Sequence, residues 1–192
     1  MNFLAHIFLS GTDNELMIGN FIADFIKGRN KNEFPPQITK GIELHRAIDD
    51  FTDHHPVTSE SKKRLYPVHH KYSAVVVDLF YDHFLAKNFS DYSTVSLDAF
   101  ASNTYKNITL FRDILPPRVL EFLPYMIERN WLVNYATVEG IGRTLSGLGQ
   151  RVSFENRMNE ATIDLEKHYS DFEEEFSIFF PQLINFVAMK RL

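Results

Sequence analysis

Residues 44–53 read L-H-R-A-I-D-D-F-T-D, which sets His45, Asp49 and Asp53 at successive four-residue intervals. On an α-helix, side chains four apart lie one above another, so an imidazole and two carboxylates form a polar stripe beside the apolar Leu44, Ile48 and Phe51. Outward from this stretch the same ligand-type side chains recur on strongly apolar helical backgrounds: His6, Asp24, Asp78, Asp82 and His83. Charged groups on a core-facing helix are costly to bury unless paired or bound to an ion, so their recurrence points to a divalent cation.

Helical periodicity extends over most of the chain. Residues 14–28 put Leu16, Ile18, Phe21, Ile22, Phe25 and Ile26 on an apolar face and finish on a glycine, which predicts a helix carrying Asp24. After Pro35 and Pro36 a second helix is expected from about Gln37 to His54, stopping before Pro56 with His54 and His55 at its end. Thr58 and Ser59 are placed to cap a short basic helix through Lys62, Lys63 and Arg64, ended by Pro67. From Tyr72 to Phe89 the run Val75–Val77 allows a strand, but the length and the four-residue spacing of Asp78 and Asp82 favour a buried helix.

Further on, Leu97–Phe111 reads as a helix and Arg118–Tyr135 as one kinked at Pro124. Glu139–Gln150 holds Gly140, Gly142, Gly147 and Gly149, yet no strand precedes it and no G-K-[ST] follows, so it is not a phosphate-binding loop. The C-terminal third, with an acidic run from Asp171 to Glu175, predicts a long helix interrupted near Pro181. Together these elements predict an all-α fold, a compact single-domain multi-helix bundle over residues 1–192.

Composition narrows the chemistry. The chain has 18 Phe, 8 Tyr and one Trp, so large planar side chains dominate its packing. Its lack of cysteine excludes disulfides, thiolate zinc sites, iron–sulfur clusters and a cysteine nucleophile. The apolar N-terminus, M-N-F-L-A-H-I-F-L-S, lacks the basic residues and cleavage pattern of a leader and reads as a buried first element. No run reaches the ~18 apolar residues of a membrane helix, so a cytoplasmic setting is expected. A formal net charge of −5 argues against general nucleic-acid binding.

Each candidate ligand also has a structural account. His6 alone suits a hydrogen-bonded core histidine, Asp24 an ion pair with Lys27, and Arg46 a bridge to Asp49 or Asp50. Asp82 and His83 point ~100° apart on a helix and reach one ion only over the seam between their faces. With imidazole and carboxylate donors the metal is Mn²⁺, Mg²⁺ or Fe²⁺ rather than structural zinc. Such an ion would bind a phosphate oxygen and activate a water, with spare carboxylates assisting, which gives phosphoester hydrolysis.

Several motifs at matching separations resemble those of the acyl carrier protein phosphodiesterase family: M-N-F-L-A-H at 1–6, G-N-F-I-A-D-F at 19–25, F-P-P at 34–36, G-I-E-L-H-R-A-I-D-D-F-T-D at 41–53, Y-D-H-F-L at 81–85 and N-W-L-V-N-Y at 130–135. This resemblance implies an atypical His-Asp phosphohydrolase, helical and dependent on Mn²⁺ or a similar ion, that cleaves 4′-phosphopantetheine from the serine of holo acyl carrier protein. Carried over by position, His6, Asp24, His45, Asp49, Asp82 and His83 become the implied ligand set, with Asp24, Asp49, Asp53 and His83 assisting catalysis. The superfamily's usual His-Asp order stands here as Asp82-His83.

An acidic carrier protein needs a local positive surface on an acidic enzyme. Lys27, Arg29 and Lys31 offer one, and Lys62, Lys63, Arg64, His69, His70 and Lys71 another; the alternative is that both are ordinary solvated loops. Two further functions stay open: a nucleotide or small-molecule phosphodiesterase of the same superfamily, and a non-catalytic helical binding module.

Overall fold

A computed structural model describes residues 1–26 and 33–191, and Lys27, Arg29 and Lys31 lie outside them. The described residues form an all-α fold with no strand. Its helices are α1 (Phe3–Leu9), α2 (Asn14–Ile22), α3 (Pro36–His54), α4 (Pro56–His69), α5 (Ser73–Lys87), α6 (Leu97–Leu110), α7 (Pro117–Glu128), α8 (Trp131–Asn134), α9 (Val138–Gly149), α10 (Ala161–Lys167) and α11 (Tyr169–Arg191).

α5 runs through the middle, touching α1, α4, α9 and α11. Its lack of a polar face follows from this position: Val76, Val77, Leu79, Phe80, Tyr81, Phe84 and Leu85 are all buried. α11 supplies the complementary layer of Phe172, Phe176, Phe179 and Phe180, with Phe80 edge-on to Phe172 at 5.1 Å and Tyr81 edge-on to Phe176 at 5.7 Å.

Several helix boundaries differ from the sequence expectation. α2 ends at Ile22 and a 3₁₀ turn, Ala23–Phe25, carries Asp24. α4 begins at Pro56, not at Thr58, because proline suits the first helical position and the His55 ring accepts the Val57 N–H. Pro67, Pro124 and Pro181 sit inside α4, α7 and α11 without ending them. Buried side chains flank each one, such as Phe180 and Leu183 around Pro181, and their burial outweighs the ~3 kcal/mol that an interior proline costs. The predicted helix 118–135 breaks instead at Asn130, which takes a left-handed conformation (φ 43°) and turns α7 into α8. The glycine-rich stretch is a regular helix, α9, capped by the Thr137 hydroxyl.

The crossing of α2 and α3 positions the site. A Cβ on Gly19 would lie 2.0 Å from the Ile38 carbonyl oxygen, and one on Gly41 would lie 2.1 Å from that of Leu16. Only glycine at both positions lets the two backbones touch, which lays Asn20, next to Gly19, against His45, one turn beyond Gly41.

Candidate metal centre

His6 from α1, His45 and Asp49 from α3 and Asp24 from the 3₁₀ turn converge in the lining of a cavity of about 1230 Å³. The Asp49 carboxylate bridges the two imidazoles, with Oδ1 3.2 Å from His6 Nε2 and Oδ2 3.1 Å from His45 Nε2. Asp24 Oδ1 lies 3.1 Å from the same His45 nitrogen, and the two rings stack with centroids 3.9 Å apart. His6, His45 and Asp49 offer ligand atoms all within 4.8 Å of one another, the one such group of three or more among the described residues.

The hydrogen bonds fix which nitrogens carry protons. His45 Nδ1 donates to the Asn20 carbonyl at 2.8 Å, since a carbonyl only accepts. The Asn20 amide nitrogen donates to the His6 carbonyl and to Ser10 Oγ, so its oxygen accepts from His6 Nδ1 at 2.8 Å. Both Nε2 atoms are left to face Asp49. Burial, aided by the neighbouring His45, pushes the His6 pKa down, so its ring is neutral and its Nε2 lone pair meets two acceptors: Asp49 Oδ1 and the Met1 carbonyl, each at 3.2 Å.

A neutral nitrogen facing two acceptor oxygens is a repulsive arrangement, which a cation between them reverses. Ligating histidines commonly donate their other N–H to an oxygen acceptor in this way. The donor set, two imidazoles with carboxylates, fits a hard or borderline divalent ion.

Electrostatics without an ion follow from the same contacts. Burial acts to lower the His45 pKa, but hydrogen bonds to Asp24 and Asp49 override it and carry the value to about 9. Burial acts to raise Asp49, and the two histidines pull it well below the usual carboxylate range. The hydrogen bond from His45 holds Asp24 down as well.

Not every predicted site residue reaches this point. Asp82 and His83 do not join the cluster: their polar atoms are bonded elsewhere and neither lines the cavity. Fully buried Asp82 accepts the backbone N–H groups of Asn2, Leu4 and Ala5 and so anchors the start of α1. His83 Nδ1 donates to the Tyr135 carbonyl, and its Nε2 accepts from the Tyr169 hydroxyl at 2.7 Å, which satisfies a neutral core histidine. Asp78 lines the cavity and pairs with the Met1 ammonium at 2.8 Å. Asp53 lines it one turn beyond Asp49, with Lys62 Nζ 3.4 Å away.

The basic residues after α3 are engaged within the chain. Lys62 donates to the Asp53 carbonyl, Lys63 pairs with Glu60, and Arg64 makes a two-pronged bond to Glu175 over the Phe172 ring. Lys71 lies over the Phe154 ring at 3.7 Å, and His69 is buried against Asp164. Sequence reasoning missed Asn20 as the group orienting both histidines, and it missed four cavity-lining arginines, Arg118, Arg129, Arg143 and Arg151. The signal for the last two was available in the helical spacing of Gly140, Arg143, Gly147 and Arg151.

An all-helical protein with an imidazole–carboxylate cluster lining a large cavity is the class that fold and site define. The family model of acyl carrier protein phosphodiesterase matches residues 1–183. Similar proteins include the acyl carrier protein phosphodiesterases of Salmonella paratyphi A, Salmonella agona and Salmonella newport, each 30% identical over 193 residues and covering 100% of both chains. The chain belongs to the acyl carrier protein phosphodiesterase family. No solved structure matches it.

Proposed function

We propose that this chain is a cation-dependent phosphodiester hydrolase that removes 4′-phosphopantetheine from the serine of holo acyl carrier protein and leaves the apo form. Family membership supports the enzyme class and the carrier-protein substrate. The observation that carries the cation is the His6 ring, whose Nε2 lone pair faces the Asp49 carboxylate and the Met1 carbonyl with nothing to donate.

In this reading His6, His45 and Asp49 hold the ion, and Asp24 adds a fourth donor. Bound there, Mn²⁺, or Mg²⁺ or Fe²⁺ in its place, would supply positive charge to a phosphoryl oxygen and lower the pKa of a bound water. Asn20 keeps both Nε2 atoms facing inward. Asp24, two-thirds exposed and held ionised by His45, orients the attacking water as a hydrogen-bond acceptor. Asp53, lining the same cavity, takes up the proton released as that water attacks phosphorus, and returns it to the serine oxygen as the bond from phosphorus to that oxygen breaks. Phe25, Phe122 and Trp131 give the cavity an apolar side along which the pantetheine arm lies.

The imidazole–carboxylate donor set supports a relation to the His-Asp phosphohydrolases, with His45 and Asp49 as the working pair in place of Asp82-His83. The whole chain acts as one helical domain in the cytoplasm; no helix among its described residues is long and apolar enough to cross a membrane.

Incubation with holo acyl carrier protein and Mn²⁺, followed by mass spectrometry, tests the reading. The product is expected to have lost the entire phosphopantetheine group, and Asp49→Ala protein should neither cleave nor retain stoichiometric metal. Intact carrier protein under Mn²⁺, Mg²⁺ and Fe²⁺ alike would overturn it.

A further inference from the structure

The cavity that holds the histidine–aspartate cluster is also lined by Arg118 and Arg129 from the two ends of α7, Arg143 on α9 and Arg151 just past it. Among the described residues none of these four forms an ion pair or a side-chain hydrogen bond, whereas Arg64 is doubly bonded to Glu175, Arg157 to Glu160 and Lys87 to Glu173. The chain has a net charge of −5, so an unneutralised quartet is not a by-product of a basic surface. Arg118 also stands in the first turn of α7, where the helix dipole disfavours a cation, so local helix stability does not account for it. Gly147 lies between Arg143 and Arg151 on the cavity face, and a Cβ there would meet nothing within 4 Å, which leaves the α9 wall low and open.

We propose that Arg118, Arg129, Arg143 and Arg151 form the docking surface for the acidic protein substrate, so that the carrier protein seats over α7 and α9 and its prosthetic arm enters the cavity beside Gly147. This deepens the functional reading above and rests on it. The charge complementarity is specific. The basic residues of α4 are held by Asp53, Glu60 and Glu175, whereas the arginines of the α7–α9 wall are the cavity-lining side chains that, among the described residues, carry unpaired positive charge. Unpaired charge of one sign along a cleft raises the encounter rate with an oppositely charged partner and makes it salt-sensitive.

The test is equilibrium binding of apo acyl carrier protein, which has no arm to cleave, to the Mn²⁺-loaded protein at low and high salt. Thermal unfolding checks that each variant is folded. R143E/R151E is expected to weaken Kd by ~10-fold or more at low salt and to flatten its salt dependence, while K62E/K63E stays within ~2-fold of the parent. Parent-like binding by R143E/R151E, an equal loss in K62E/K63E, or no binding by the parent would overturn the proposal. So would arginine-dependent capture of a thymidine oligonucleotide more tightly than the carrier protein. Cleavage of holo carrier protein is read separately: a parent that binds the apo form but never cleaves the holo form overturns the functional reading and leaves the docking surface standing.

Discussion

Asn20 spends its side-chain oxygen on His6 and its main-chain carbonyl on His45, so one residue holds two rings in the same tautomer. Replacing it with alanine leaves the carbonyl, and with it His45, in place, but frees His6 to turn. Mn²⁺ affinity is expected to fall ~10- to 100-fold in Asn20→Ala, the usual effect of removing the partner that orients a ligating histidine, with titration calorimetry as the measurement. A parental affinity would show that the ion does not use His6. The second residue-scale expectation concerns His45, whose value of about 9 lies above the ~6.5 of an unfolded chain. In the ion-free protein its imidazolium therefore adds stability in full below ~6.5, and that contribution fades as the pH climbs through about 9. A cation must displace this proton. Mn²⁺ affinity should accordingly rise up to ~10-fold per pH unit from neutrality towards 9, and calorimetry in two buffers of different ionisation enthalpy should register about one proton released per ion bound. An affinity flat across that range would mean that the ion is held elsewhere.

At the scale of the element, the α2–α3 crossing depends on two glycines that periodicity did not single out. Gly41→Ala drives a methyl against the Leu16 carbonyl at 2.1 Å, a clash with backbone that no rotamer relieves. We expect a loss of ~3 kcal/mol or more in unfolding free energy by denaturant titration, because such overpacking must push the helices apart. The same shift would part Asn20 from His45, so Mn²⁺ affinity should fall with stability. Helices α3 and α5 were legible in the sequence, α3 because its apolar and polar faces alternate at the helical period and α5 because it is too long and unbroken for a strand. The meeting of His6, Asp24, His45 and Asp49 was legible in residue type. What periodicity hides is direction and partner: Asp82 and His83 have the right chemistry, yet one is spent on three backbone N–H groups and the other on Tyr135 and Tyr169. The proline boundaries failed because burial on both sides overrode a local penalty. The true break at Asn130 rests on one left-handed asparagine, a residue type that takes this conformation readily but that helical periodicity does not weigh.

For the whole molecule, the distribution of ligands along the chain decides how an ion would affect stability. His6 lies on the first helix, Asp24 on the turn after the second, and His45 and Asp49 on the third, so a bound cation ties together elements otherwise joined by packing and by the hydrogen bonds of Asn20. α1 is only 7 residues long and α2 only 9, too short to persist without tertiary support, so this region is where the gain should appear. The unfolded chain has no preformed site, and binding free energy therefore adds directly to folding free energy. At ~100 times the dissociation constant the gain is ~2.7 kcal/mol, which for a domain of this size corresponds to a rise of roughly 5–10 °C in Tm. Thermal unfolding of chelator-treated protein with and without Mn²⁺ measures it. Asp49→Ala, which removes the carboxylate shared by both histidines, should show no such rise, although its own Tm in the absence of metal need not be lower: two imidazole nitrogens lose a partner, but a carboxylate is also released from a half-buried site. A Tm indifferent to Mn²⁺ in the parent would mean that the cluster is a proton-sharing network, and the phosphodiester chemistry would then need a different source of positive charge in this cavity.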